Sequence, residues 1–290
     1  MLEENKLVIA WPNYTDRSSV SGGSYLSSLP LINIKNRVFA KKARSTNLNY
    51  SSTQFELELD GSKQTDVISI AAHNFSNSSQ IRVSFYNDIA KTELAYDTGL
   101  IDVWPSVYTQ DELEWENLNY WEGTILQEDI ENFTPLFYHI AKSDSLLYPR
   151  KILVEIFDNS NPIGYVEFGR VFVGTAFQPK LNMQFGASIG YTINTEVEAS
   201  QNNTEYFDRK RPRRTVSFTL DGLTMQEGHS TIMSLIRTQG VDQEVFFTYQ
   251  NTEDTLQYNR TFIARLQQVD PIKQPYFDRL ETSINLLEII

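Results

Sequence analysis

The residues of this chain that could do chemistry are few and scattered. Its three histidines, His73, His139 and His229, stand far apart in unlike contexts. No HExxH or His-x-His pattern accompanies them and no carboxylate sits at metal-ligand spacing, so each reads as a core or surface histidine. The chain has no cysteine, which excludes disulfides, thiolate metal sites and thiol nucleophiles. No G-x-S-x-G elbow marks a hydrolase nucleophile, although a spatial Ser-His-Asp triad would leave no such mark. Neither G-x-x-x-x-G-K-[ST] nor G-x-G-x-x-G is present, so nucleotide binding has no support. The expectation is a non-enzymatic chain with no cofactor and no metal.

Two clusters stand out from this background. Gly99–Tyr148 holds Trp104, Trp115, Trp121, Tyr108 and Tyr120 together with Asp111, Glu112, Glu114, Glu116, Asp129 and Glu131. Paired carboxylates there could act as acid and base on a glycosidic bond, with tryptophans stacking on sugar rings. On that reading Trp115, Tyr120 and Trp121 bind glycan, and Glu112, Glu114 or Glu116 would do the hydrolysis. The preferred reading is plainer: a solvated charge face, and aromatics that anchor the segment or a neighbouring subunit. Aromatic side chains suit interfaces because they bury large areas at small entropic cost.

The second cluster, Arg209-Lys210-Arg211-Pro212-Arg213-Arg214, puts five positive charges in six residues of a chain with net charge −12. It reads either as a loop offset by Glu205 and Asp208 or as a patch meeting the acidic surface of an adjacent copy. Assembly contacts are therefore expected at Arg209, Lys210, Arg211, Arg213, Arg214, Trp104, Trp115 and Trp121. Nucleic acid is not an expected partner, because the chain is acidic and no basic-aromatic groove accompanies the cluster. No apolar run approaches the roughly 20 residues of a membrane span, so insertion is not expected either. Asn-x-Ser/Thr triplets at Asn13, Asn74, Asn132 and Asn259 are read as chance, since MLEENK has no secretory h-region.

The elements that must position these clusters are mainly strands. Leu7–Trp11 reads as an edge strand. Gln54–Asp60 alternates, with Phe55, Leu57 and Leu59 on one face and Glu56 and Glu58 on the other, the period-two mark of a strand with one wet side. Val67–Ala72 is nearly all apolar and reads as a buried strand, and Ile81–Tyr86 alternates again. Ile152–Phe157 and Tyr165–Val173 flank a turn-rich Asp158–Gly164 and read as a β-hairpin. The simplest closure is an antiparallel β-sandwich over residues 1–174, with 99–148 as a long excursion from one edge. Residues 175–290 read as a second β-rich domain with one helix at about 225–239. That helix starts at a Thr224–Glu227 capping box, carries Ile232, Leu235 and Ile236 as its apolar stripe, and stops near Gly240.

Several short stretches carry a family resemblance. They are Ala43-Arg44-Ser45-Thr46, Phe55–Leu59, Ile68–Ala71 with His73-Asn74-Phe75, and, most closely, Gly164-Tyr165-Val166-Glu167-Phe168-Gly169-Arg170-Val171-Phe172-Val173-Gly174. Asp102-Val103-Trp104-Pro105, Tyr148-Pro149-Arg150, Phe177-Gln178-Pro179 and Arg211–Arg214 add to it. On these residues the first half resembles the discoidin-like, galactose-binding-like jelly roll found in tail proteins of tailed bacteriophages. The resemblance implies an all-β protein of the virion tail or baseplate, present in several copies. Its implied partners are other tail proteins and copies of itself in a ring, made in the host cytoplasm without a signal peptide. Some galactose-binding-like folds bind sugars through loops at one end, so recognition of host glycans is the alternative. No sugar-binding or metal-binding residues of that fold map onto this sequence.

Overall fold

The computed structural model describes residues 2–104, 108–116, 120–121, 123, 134–143, 145–200, 202, 204–252 and 257–290. Pro105, Asp129, Glu131 and Asn132 lie outside the described residues. The architecture is mainly β, as expected, and its sheets are antiparallel.

Three sheets lie in layers. The first runs Ser19–Ser21, Phe55–Glu58, Lys151–Phe157, Gln80–Tyr86 and Leu94–Asp97, with Ile101–Asp102 also paired to Gln80–Tyr86. The second places Val67–Ala71 between Val171–Gly174 and Leu136–Ile140. Phe55, Leu57, Ile81, Val83, Phe85, Ile152 and Val154 of the first sheet pack against Ile68, Ile70, Phe137, Val171 and Val173 of the second. The third sheet runs Ala176–Phe177, Val8–Ala10, Glu244–Thr248, Thr261–Val269, Arg279–Glu288, Arg213–Thr224 and Ser188–Thr192, with Lys273–Tyr276 beside Arg279–Glu288. Its Val8, Ala10, Phe246 and Ile263 meet Val67, Ala71, Leu136 and Phe172 on the outer face of the second sheet.

This layering explains the sequence patterns. Strands with one wet face alternate: Phe55 and Leu57 are buried while Glu56 and Glu58 are half-exposed. Strands covered on both faces read as continuous apolar runs instead, and Val67–Ala71, Val171–Gly174 and Glu244–Thr248 are buried at every position. The remaining face of the third sheet carries Val216, Phe218, Leu220, Phe247, Phe262 and Leu266, and the helix covers it with Ile232 and Leu235.

The helix is where the sequence places it, with a π-type first stretch at Glu227–Ile232 running into an α-helix at Met233–Gln239. Its capping box is formed: the Thr224 amide donates to Glu227 Oε2 at 2.9 Å, and the Glu227 amide donates to Thr224 Oγ1 at 3.2 Å. Burial pushes the Glu227 carboxyl upward, but bonds from the Lys180 and Thr224 amides outweigh it and hold the group below its usual range. Gly228 sits where a Cβ would stand 2.3 Å from Leu280 Cδ1, so the helix approaches the sheet as only glycine permits. Among the described residues no helix is long and apolar enough to cross a membrane.

Three expectations change. Ile152–Phe157 and Tyr165–Val173 are not a hairpin: the first pairs with Phe55–Glu58 and Gln80–Tyr86, and the second contributes strands to other sheets. The turn residues Asp158–Gly164 carry the chain across the sandwich as an arch, which local turn chemistry does not distinguish from a hairpin. Leu7–Trp11 is not an edge strand: Val8–Ala10 lies between Glu244–Thr248 and Ala176–Phe177, so sheet membership does not follow the 174/175 line. The excursion also returns early, because Leu136–Ile140 is a strand of the second sheet.

Candidate assembly surface

Ser188–Thr192 is the outer strand of the third sheet, paired with Arg213–Thr224. Beyond it the two strands continue outward as a second ribbon, Glu196–Ala199 against Glu205–Asp208, closed where the Ser200 amide donates to Thr204 O at 2.8 Å. Register shifts between the two ribbons: Thr192 faces Arg213, whereas Glu196 faces Asp208. Between these pairs three residues, Ile193 to Thr195, therefore answer four, Arg209 to Pro212. Together the two ribbons form one long arm at the edge of the sheet.

Directly opposed residues share a face. Ile189 opposes buried Val216 and Tyr191 opposes buried Arg214, so both point to the side that the helix covers further in. That cover ends before the arm begins. Ile189 is 48% exposed, Tyr191 60%, Ile193 69%, Val197 53% and Phe207 63%. At every second position the core face thus runs on into solvent as an apolar stripe. The alternate positions are mostly polar or small, with Gly190, Thr192, Glu196, Glu198 and Asp208, but exposed Tyr206 also lies there, and Glu205 falls on the face of Val197 and Phe207.

The basic cluster lies at the base of this arm and divides in two. Arg209 and Arg211 are exposed and Arg213 partly so. Lys210 pairs with Glu196 across the ribbon, which raises its pKa, and lies 3.8 Å from Asp208. Arg211 reaches Thr134 Oγ1 at 3.4 Å. Arg214 leaves the patch altogether: it is buried, paired with Glu288, donates to Thr261 O at 3.1 Å, and stacks over Phe262. The opposed position of Glu288 and the aromatic floor make Arg214 an internal residue rather than an assembly contact.

Trp104 is likewise corrected. It is buried in the sandwich core with its indole N–H donating to Phe75 O at 2.9 Å, so it anchors the fold and presents nothing to a partner. Trp115 and Trp121 remain candidates at 73% and 75% exposed, and Tyr120 meets Trp121 edge-on at 5.2 Å. Glu112 is engaged as a cap, accepting from the Thr109 amide at 2.9 Å; that bond, first among its causes, lowers its pKa. Glu114 and Glu116 are in solvent. A general acid needs a raised pKa, and Glu112 is shifted the other way.

A cleft of about 560 Å³ opens beside the sandwich, lined by Tyr96, His139, Leu100, Asn251, Gln257 and Tyr258 among others. Tyr96 Oη and His139 Nε2 are 3.1 Å apart, and the Tyr258 ring rests 5.6 Å from Trp104. Among the described residues no group of histidines and carboxylates could hold a metal. His73 is a core residue: it stacks on Phe75, accepts from the Phe75 amide, and burial depresses its pKa to about 3. His229 is exposed on the helix.

One cluster that the sequence did not disclose joins the sandwich to the third sheet. Arg170, with no exposed surface, donates from Nε to both Glu244 oxygens at 2.8 and 3.1 Å, and its Nη2 forms an ion pair with Asp16 Oδ1 at 2.6 Å. Asn13 ties the same place together, bonding Glu244, Val171 O and the Val173 amide. Arg170 was visible only as one letter of the Gly164–Gly174 stretch; nothing local marks it as buried. The same stretch meets Ala43–Arg44 through strand pairing with Glu167–Phe168, and Arg44 binds Glu167 at 2.6 Å.

No family model matches the chain, and no curated protein matches it. Among solved structures it is similar to a mutant of the lectin binding domain of lectinolysin complexed with Lewis b (11% identity, TM-score 0.37, 57% of this chain and 96% of that one). It is also similar to the family 32 CBM from C. perfringens NanJ in complex with galactose (13%, TM-score 0.35, 59% and 99%). A third is CBM32-1 from a family 31 glycoside hydrolase from Clostridium perfringens (7%, TM-score 0.36, 56% and 97%). At these identities and scores the likenesses say nothing about what this chain binds.

Proposed function

We propose that this chain is a non-enzymatic assembly component that works through protein–protein contacts, of the virion-tail kind its sequence resemblance implies. The arm carries the assembly reading. A two-stranded ribbon is marginal in water by itself, and an apolar stripe continued into solvent on one side is the surface expected of a strand that finds its cover in another molecule. Among the described residues Glu112 is engaged as a cap and Glu114 and Glu116 are exposed, which supports the non-enzymatic part.

Incorporation tests it. Tyr191→Ser, Val197→Ser and Phe207→Ser together should leave thermal unfolding of the purified chain unchanged. In particles assembled from a genome that carries the chain, the variant should be missing by immunoblot. Incorporation at the normal level would overturn the reading.

A second reading, glycan recognition, is favoured by the exposed Trp115 and Trp121, with half-buried Tyr120 against Trp121, and by the aromatic-polar lining of the cleft. Rings offer flat faces to the C–H side of a sugar, and Asn251 and Gln257 offer amides to its hydroxyls. A glycan array with wild type, Trp115→Ala/Trp121→Ala and Leu100→Arg separates the two places. Binding abolished by the tryptophan pair assigns the first, binding abolished by Leu100→Arg assigns the cleft, and no binding by wild type ends the reading.

A further inference from the structure

We propose that one end of the second sheet carries a binding site for a primary alkylammonium ion, with Asp66 receiving the charge and Leu2, Leu146 and Leu147 the hydrocarbon stem. The site is distinct from the arm, shares no described lining residue with the cleft beside the sandwich, and stands whether or not the assembly reading does.

Asp66 is the residue before strand Val67–Ala71 and extends the pairing of that strand on both sides. Its amide donates to Gly174 O at 3.0 Å, and its carbonyl accepts from the Ala141 amide at 2.7 Å. The Thr65 amide donates to Leu147 O at 3.0 Å and so brings the chain after Ala141 back against the same strand end. A cavity of about 260 Å³ opens there, lined by Asp66, Ser143, Ser145, Leu2, Leu146 and Leu147 among others. At ~30 Å³ per water molecule it has room for far more than one.

The carboxylate in this cavity is held on one side only. Asp66 Oδ2 accepts from the Ala176 amide and from Gln64 Nε2, each at 3.0 Å, whereas Oδ1 accepts no bond among the described residues. Burial, first among the causes, pushes the Asp66 pKa up in spite of those two bonds. No lysine or arginine is among the charges that act on it. The one positive group that does, the chain's α-amino group, comes last and lowers the pKa, the direction in which a bound ammonium would take it further. A half-buried carboxylate without a paired cation is costly to keep charged, and an ammonium seated on Oδ1 removes that cost.

The lining selects the kind of cation. A primary ammonium has three donors and no acceptor. Asp66 Oδ1 and the hydroxyls of Ser143 and Ser145, which lie 3.4 Å from each other, are acceptors for them. No aromatic ring is among the described lining residues, which disfavours a quaternary ammonium, whose usual partner is an aromatic face. Three leucines give an alkyl stem an apolar wall, and Leu146, 63% exposed, carries that wall out to solvent.

The test is a titration with n-pentylammonium chloride at pH 7 and constant ionic strength, followed by the amide chemical shifts of Asp66, Ala141 and Ala176. Wild type should shift these amides saturably, and tetramethylammonium at the same concentrations should not. Asp66→Asn keeps the size of the side chain and an acceptor for the Ala176 amide but loses the charge, and should weaken binding at least about tenfold. Leu146→Arg changes an exposed position, sets a like charge beside the site, and should weaken binding as well. Thermal melts establish that both variants are folded. Binding of Nα-acetyl-lysine methylamide together with pentylammonium assigns a lysine side chain as a form of the ligand, and binding of pentylammonium alone assigns a free amine. No saturable shift in wild type by about 100 mM, shifts scattered over the acidic surface, or either variant binding as well as wild type overturns the site.

Discussion

Arg170 and Arg214 are both arginines without a surface role; Arg170 is matched by Glu244 and Asp16, and Arg214 by Glu288. Removing one member of such a pair leaves the other charge buried and alone, which costs about 3–5 kcal/mol, whereas replacing both by apolar residues is often near neutral. Arg170→Met should therefore lower the free energy of chemical unfolding by about that amount, and Arg170→Met/Glu244→Leu should recover most of it. A loss below about 1 kcal/mol in the single variant would show that the cluster does not hold the layers together. His73 gives a pH prediction. Its folded pKa of about 3 lies below the unfolded value of 6.5, so the unfolded chain binds a proton that the folded chain refuses. Stability contributed by the neutral ring is complete above pH 6.5 and is lost as pH falls toward the folded value. Between pH 6.5 and 5, before most carboxylates titrate, the slope should approach about 1.4 kcal/mol per pH unit. His73→Asn, which keeps an acceptor for the Phe75 amide, should flatten it in urea titrations. Equal slopes in the two proteins would contradict the assignment.

Among the elements, the helix was the most legible, because its signals are local. Thr224 and Glu227 are three residues apart, and both reciprocal bonds form. Thr224→Ala should cost about 1 kcal/mol by denaturant melt, a magnitude typical of a lost cap. A negligible change would mean that packing of Ile232 and Leu235 alone fixes the helix start. Strands with one wet face were legible for the same reason, since alternation at Phe55–Glu58 is written in consecutive residues. What stayed hidden depends on distant partners. Pairing of Lys151–Phe157 with Gln80–Tyr86 rather than with Val171–Gly174 is decided by the sandwich, not by the turn between them. Arg214 and Trp104 stood in clusters that look exposed by composition, and only Glu288, Phe262 and Phe75 O show why they are not. Exposure of Ile189, Tyr191 and Ile193 was equally unreadable, because an apolar alternation looks the same whether or not something covers it.

At the scale of the whole molecule, three sheets and a helix are stacked apolar face against apolar face, and the arm carries an apolar face on into solvent. The Arg170 cluster locks the sandwich to the third sheet and so fixes the direction in which the arm projects. A preformed apolar seam is the form expected of a subunit that adds to an assembly without changing its own fold. The candidate contacts expected from the sequence narrow to Arg209, Lys210, Arg211 and Arg213 at the arm's root and to Trp115 and Trp121, joined by Tyr191, Val197 and Phe207, which composition did not mark. The most direct measurement of this account is the mass of the purified chain by light scattering across a concentration series, for wild type and for Val197→Asp/Phe207→Asp. Wild type should pass from monomer to a larger species within the micromolar range usual for modest interfaces, while the variant stays monomeric with an unchanged melting temperature. A wild-type chain that remains monomeric to about 100 µM, or a variant that associates as well as wild type, would contradict it.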